Sequence, residues 1–276
     1  MGMLETITRV PLSIGIWRRL VTKANIPLGS VGDRVQYGIF DYPHYAYGVY
    51  WSAYLASRLG LPRVAAIEFG VAGGRGLLAL EKASMEIERA LGIEIDVIGF
   101  DNGSGMPAPV DYRDLPHIWA QGFYKMDYDA LKKHLKKAIL MMGDVNETVV
   151  EWVRTSSVPV GFVAFDLDYY SSTKSALNIF EGSAATHLPR VHCYFDDVSS
   201  NDVACMNPYV GELLAIQEFN DSHDSRKISR IELMREQRPR YEPWQGKTYV
   251  MHDFRHPSYN EHVLPKLPKY TTQLPL

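Results

Sequence analysis

Val64-Ala-Ala-Ile-Glu-Phe69 runs unbroken into Gly70-Val-Ala-Gly73-Gly74-Arg-Gly76, and Leu77-Leu-Ala-Leu-Glu-Lys-Ala-Ser-Met-Glu-Ile-Glu-Arg-Ala-Leu91 follows at once. The first segment is a short apolar run of strand type. The last carries apolar residues at helical spacing. Glycines between a strand and a helix let the backbone approach a ligand closely and take positive φ, and the helix start offers unpaired N–H groups. The plain alternative is a tight turn with spare glycines.

The same alternation extends outward. Apolar runs end at Phe100, Met142, Phe165 and Phe195. Helical patterns cover Leu77 to Leu91, Asp129 to Lys137, Glu147 to Thr155, and Ser172 to about Ala184. A helix over Gly211 to Asp221 and strands over Ile228 to Met234 and Lys247 to Phe254 complete the series. Alternating strands and helices predict an α/β fold of Rossmann-like type, a mostly parallel sheet with helices on both faces. Such a sheet places its ligand at the carboxyl ends of the strands.

With 276 residues, 46% of them hydrophobic, the chain suffices for one large core. We expect an N-terminal arm or helical appendage over 1–45, the main domain over 46–256 and a Pro-rich tail over 257–276. A formal charge of −3 gives no pull toward nucleic acid or an anionic membrane. Two cysteines, one of them inside an apolar run, favour a reduced, cytoplasmic setting over a disulfide framework. No signal peptide or long apolar run is evident. The terminal arms suggest a homodimer contact.

The cofactor is not decided by the turn alone. Gly74-Arg-Gly76-Leu-Leu-Ala79 fits the G-x-G-x-x-A dinucleotide fingerprint. Glu68, Gly70 and Gly74 equally resemble the acidic-x-Gly-x-x-x-Gly motif of class I methyltransferases, whose glycines pack against the methionine part of S-adenosylmethionine. Asp101, ending the second strand, suits ribose hydroxyls in either cofactor. Asp144, just after the third strand, either meets an adenine amino group or merely turns the chain.

The carboxylates speak more specifically. Asp166 and Asp168 end the fourth strand, and Asp196 and Asp197 end the fifth. In a sheet whose order reverses between strands one and four, these ends are neighbours. Crowded like charges are costly unless protons or a cation neutralise them, and hard oxygen donors favour a divalent metal such as Mg²⁺. Helix capping and turn formation are the ordinary alternatives.

Asp166-x-Asp168-x-Tyr170-x-Ser172-Thr173, the Asp196-Asp197 doublet, Gly-Phe-Asp101 with Gly105-Met106-Pro107 behind it, and Gly143-Asp144-x-x-Glu147-Thr148 resemble, in order and spacing, the macrocin O-methyltransferase family. The resemblance implies a seven-stranded class I methyltransferase fold, S-adenosylmethionine as cofactor and a small-molecule hydroxyl acceptor such as a sugar or natural product. It implies Asp166, Asp196 and Asp197 as metal ligands and Asp168 as general base. The chain departs from the family before strand five, at Ala185-Thr-His-Leu-Pro189-Arg190, after the doublet, and in the long segment from Asn102 to Met126. Three other readings stand beside it. A nicotinamide-dependent oxidoreductase leaves the carboxylates unexplained, a non-catalytic binding protein has no reason to tolerate their repulsion, and a metal-dependent hydrolase has no need of the glycine turn.

Overall fold

A computed structural model describes residues 29–199, 202–232, 234–236, 238 and 241–264. Residues 1–28 of the expected arm and 265–276 of the expected tail lie outside the described residues. Strands β1 (Arg63–Phe69), β2 (Glu94–Asp101), β3 (Ile139–Met142), β4 (Val160–Phe165), β5 (His187–Phe195), β6 (Arg226–Arg230) and β7 (Thr248–Asp253) form one sheet in the order β3-β2-β1-β4-β5-β7-β6. β1 through β5 are parallel, and β7 runs antiparallel to both β5 and β6.

β1 and β4 are buried at nearly every position, as a strand covered on both faces requires. Phe69 pairs with Phe100 on one side and Phe165 on the other, and Phe165 pairs with Phe195. Their rings stack in a row across the carboxyl edge, with centroids 4.7, 5.6 and 4.5 Å apart. This register sets Gly70, Asp166 and Asp196 abreast, one residue beyond the paired phenylalanines.

The described helices are α1 (Val31–Gln36), α2 (Pro43–Arg58), α3 (Arg75–Leu91), α4 (Tyr128–His134), α5 (Val145–Thr155), α6 (Tyr170–Ala176) and α7 (Gly211–Ser222). None of the described helices is long and apolar enough to cross a membrane. α3 buries Leu77, Leu80, Ala83 and Ile87 on one stripe. α2 carries the aromatic stretch and buries Tyr45 and Tyr47, starting within the span assigned to the N-terminal arm. It lies so close to β4 that a Cβ on Gly48 would fall 2.1 Å from the Phe162 ring.

Three elements differ from expectation. α4 ends at His134 rather than Lys137, because the N–H groups of Lys136, Lys137 and Ala138 all donate to the buried Glu81 carboxylate, at 2.8, 2.6 and 2.8 Å. α6 passes into a 3₁₀ turn that stops at Phe180, where the Arg226 guanidinium takes the Phe180 and Gly182 carbonyls. β6 ends at Arg230 because its partner strand begins at Thr248.

Candidate active site

The glycine turn is built by steric necessity. Gly70 has φ +84°, and a Cβ there would lie 1.8 Å from the Asp166 carbonyl oxygen. Any side chain would therefore push β1 away from β4. Ala72 N and Gly103 N donate to the two Asp101 carboxylate oxygens at 2.8 and 2.6 Å, so Asp101 braces the turn from the neighbouring strand. Beyond these strand ends lies a cavity of about 780 Å³, lined by Gly70, Ala72, Asp101, Asp144 and all four clustered aspartates.

Two of the residues expected at the cofactor do not line this cavity. Glu68 does not line the cavity. It is buried under the turn, accepts a 2.7 Å hydrogen bond from the Tyr45 hydroxyl, and blocks any Cβ at Gly76. Burial first, then the Asp166 and Asp101 charges, raise its carboxyl well above the usual range against the lowering effect of the Tyr45 bond. Gly74 does not line the cavity either. It takes φ +81° at the start of α3 and packs on Leu131. Asp144 does face the cavity, but its carboxylate also caps α5, accepting from Asn146 N at 2.8 Å.

Asp166, Asp196 and Asp197 each offer a carboxylate oxygen, all within 4.8 Å of one another. Asp166 opens to solvent through the cavity, yet protein surrounds it. Burial and then the charges of Asp197 and Asp196 hold its carboxyl well above its ordinary value, and Lys247 opposes them. Burial and Asp196 push Asp197 up to about 6. Asp168 is pushed up to about 9 by burial and by Asp197 and Asp166. Its backbone N–H donates to Asp197 Oδ2 at 3.1 Å. Asp168 also has φ +59°, inside a tight turn in which Tyr169 N donates to the Leu167 carbonyl. A non-glycine residue held there is strained, and such strain gathers at functional positions.

Sequence reasoning missed the supports of this cluster. Tyr194 donates to Asp196 Oδ1 at 2.7 Å. Lys247 contacts the Asp196 carbonyl and lies 3.3 Å from its Oδ1. Glu212, fully buried on α7, accepts from Asp197 N at 2.9 Å. Burial, then the Asp197 charge, raises the Glu212 carboxyl well above its usual range. One signal for Glu212 was legible: it shares a buried helical stripe with Ala215, Ile216 and Phe219. Lys247 has no such local mark.

The donor set fits a small divalent cation. Three carboxylates present hard oxygens to one point, and their mutual repulsion is what a dication relieves. The Lys247 ammonium offsets only part of it.

No protein-family model matches the chain, and no curated protein matches it in sequence. Among solved structures, the fold is similar to that of CalS11, a calicheamicin methyltransferase, with a TM-score of 0.50, 20% identity and coverage of 91% of this chain and 93% of that one. It is also similar to the O-methyltransferase NovP, with a TM-score of 0.52, 13% identity and coverage of 88% and 99%. The chain thus has a mixed α/β fold of the methyltransferase type, with a mostly parallel seven-stranded sheet.

Proposed function

We propose that this chain is an S-adenosylmethionine-dependent O-methyltransferase, assisted by Mg²⁺ or a similar divalent metal, acting on a hydroxyl of a sugar or natural-product-like small molecule. The observation that carries the reading is the convergence of Asp166, Asp196 and Asp197 within 4.8 Å beside Asp168, at the carboxyl edge of a methyltransferase-type sheet. CalS11 and NovP, methyltransferases of similar fold, support the activity, and the motif resemblance to macrocin O-methyltransferases supports the finer class.

Asp166, Asp196 and Asp197 would hold the cation, with Tyr194 and Lys247 fixing Asp196 and Glu212 fixing the Asp197 backbone. Gly70 and Ala72 would let the cofactor's methionine part approach the backbone, and Asp101 and Asp144 would border its nucleoside. When bound, the cation supplies Lewis acidity that makes an acceptor hydroxyl easier to ionise, and the sulfonium supplies the methyl group.

The chain's own step is proton removal at Asp168. Burial first, then the charges of Asp197 and Asp166, push its carboxyl up to about 9, so without a cation it is not a base at neutral pH. A cation held by Asp166, Asp196 and Asp197 would offset the charge part of that shift and favour the ionised Asp168 that accepts the hydroxyl proton. The acceptor oxygen so deprotonated would be the nucleophile toward the methyl group that S-adenosylmethionine would supply, with the electron pair of the broken C–S bond left on its sulfur. The rigid strand ends that carry Asp166 and Asp196 contribute by holding nucleophile and methyl in attack geometry.

Neither Gly74 nor Gly76 of the nicotinamide fingerprint lines the cavity, whereas Gly70 of the methyltransferase motif does, so the structure does not favour the nicotinamide reading. Calorimetric titration with Mg²⁺, at saturating S-adenosylhomocysteine, tests the proposal. A single site is expected, weakened at least about tenfold in Asp196→Asn and in Asp197→Asn. Unchanged Mg²⁺ binding in both variants would remove the metal from the account.

A further inference from the structure

The long segment from Asn102 to Met126 has no role in the mechanism above, yet it is built rather than loose. Met106 N donates to the Phe123 carbonyl and Gly122 N to the Met106 carbonyl, each at 2.8 Å, so the two arms of the loop are zipped together. Gly105 permits the contact, since a Cβ there would lie 2.4 Å from the Phe123 oxygen. The fully buried Asp114 carboxylate accepts from Val110 N at 2.8 Å, Ser171 N at 2.8 Å and Ser171 Oγ at 2.9 Å. These bonds fasten the loop to the first turn of α6, directly after Asp168. Arg113 lies over the Tyr170 ring at 4.4 Å and adds a second clasp.

Beyond Asn102 and Ser104, what this pinned loop presents to the cavity is mostly apolar. Trp119 and Tyr124 line it, their rings 6.1 Å apart and tilted by 60°, so they make a corner. Tyr124 remains 54% exposed and Val110, also on the rim, 72% exposed. Tyr124 is held at φ +59°, a costly backbone for an aromatic residue. Tyr124 lines the same cavity as Asp166, Asp168 and Asp197. Large exposed apolar side chains at a cavity mouth mark a ligand surface.

The charge of the cavity is one-sided. Among the described residues that line it, none is Lys, Arg or His, while Asp101, Asp144, Asp166, Asp168, Asp196 and Asp197 all contribute. Lys247 sits against Asp196 and is not among the lining residues. A dication compensates two of these charges, and the remainder repels an anion.

We propose that the acceptor is a neutral or cationic molecule that lays an apolar ring or chain against Trp119 and Tyr124 while neighbouring hydroxyls meet the carboxylates, and that anionic acceptors are rejected. The proposal rests on the methyltransferase reading. Phosphorylated, nucleotide-linked and carboxylated acceptors belong to the rejected class.

Three catechols that differ in one terminal group test it: dopamine, hydroxytyrosol and homoprotocatechuate, which are cationic, neutral and anionic. Each is titrated by calorimetry into the full chain saturated with Mg²⁺ and S-adenosylhomocysteine. The first two should bind at least about tenfold more tightly than the third at low salt, with the gap narrowing as salt screens the carboxylates. Tyr124→Ala should weaken hydroxytyrosol about threefold or more, the size of an aromatic contact, and leave S-adenosylhomocysteine binding unchanged. Homoprotocatechuate binding as tightly as hydroxytyrosol would overturn the charge selection. No binding by any of the three, or an unaltered Tyr124→Ala variant, would overturn the aromatic platform. Failure of S-adenosylhomocysteine itself to bind would instead remove the underlying methyltransferase reading.

Discussion

Asp168 combines a strained backbone, near-complete burial and a hydrogen bond to Asp197. Asp168→Asn keeps the shape and removes the basic oxygen, so methyl transfer should fall about a hundredfold to ten-thousandfold, the usual worth of a general base. Binding of S-adenosylhomocysteine should persist. The sign of the pH dependence follows from the ionised form being the active one: activity falls as pH drops through the Asp168 pKa. Without a cation that limb lies near pH 9, and Mg²⁺ should move it to lower pH. A limb at the same pH with and without Mg²⁺ would separate Asp168 from the metal cluster.

At the scale of elements, the sheet and the site ride on close approaches. Gly48→Ala puts a methyl 2.1 Å from the Phe162 ring, where neither α2 nor β4 has room to move. We expect about 1–3 kcal/mol of destabilisation by chemical denaturation, the range for overpacking. Glu81→Ala leaves three backbone N–H groups ahead of β3 without their acceptor and should cost about 1–3 kcal/mol. β1, β2, β4 and β5 were legible because buried strands read as largely apolar runs, β3 as a short apolar run although its side chains stay partly exposed at the sheet edge, and Asp166, Asp196 and Asp197 because they directly follow such runs. Glu68 and Gly74 fit a motif, but a motif does not say which of its residues border the cavity. Lys247, Glu212 and Asp114 reach the site from distant stretches of chain, and only Glu212 carries a local sign of its burial.

For the whole molecule, the clustered carboxyls make stability depend on pH and metal together. Asp166, Asp168, Asp197, Glu212 and Glu68 all hold protons more tightly in the fold than an unfolded chain does. The native state therefore binds more protons than the unfolded one above about pH 4. Stability is fullest below that value and is lost as pH rises through about 6, where Asp197 titrates, toward about 9, where Asp168 does. Melting temperatures of the metal-free chain should decline across that window, and Mg²⁺ should flatten the decline. A flat metal-free profile would contradict the crowding on which the site is built.

The central claim is that the cavity beside Gly70 receives S-adenosylmethionine. Calorimetric titration of the chain with S-adenosylhomocysteine and, separately, with NAD, each with and without Mg²⁺, tests it most directly. The account predicts saturable binding of S-adenosylhomocysteine and none of NAD, whereas binding of NAD alone would contradict the cofactor assignment and the carboxylate mechanism with it.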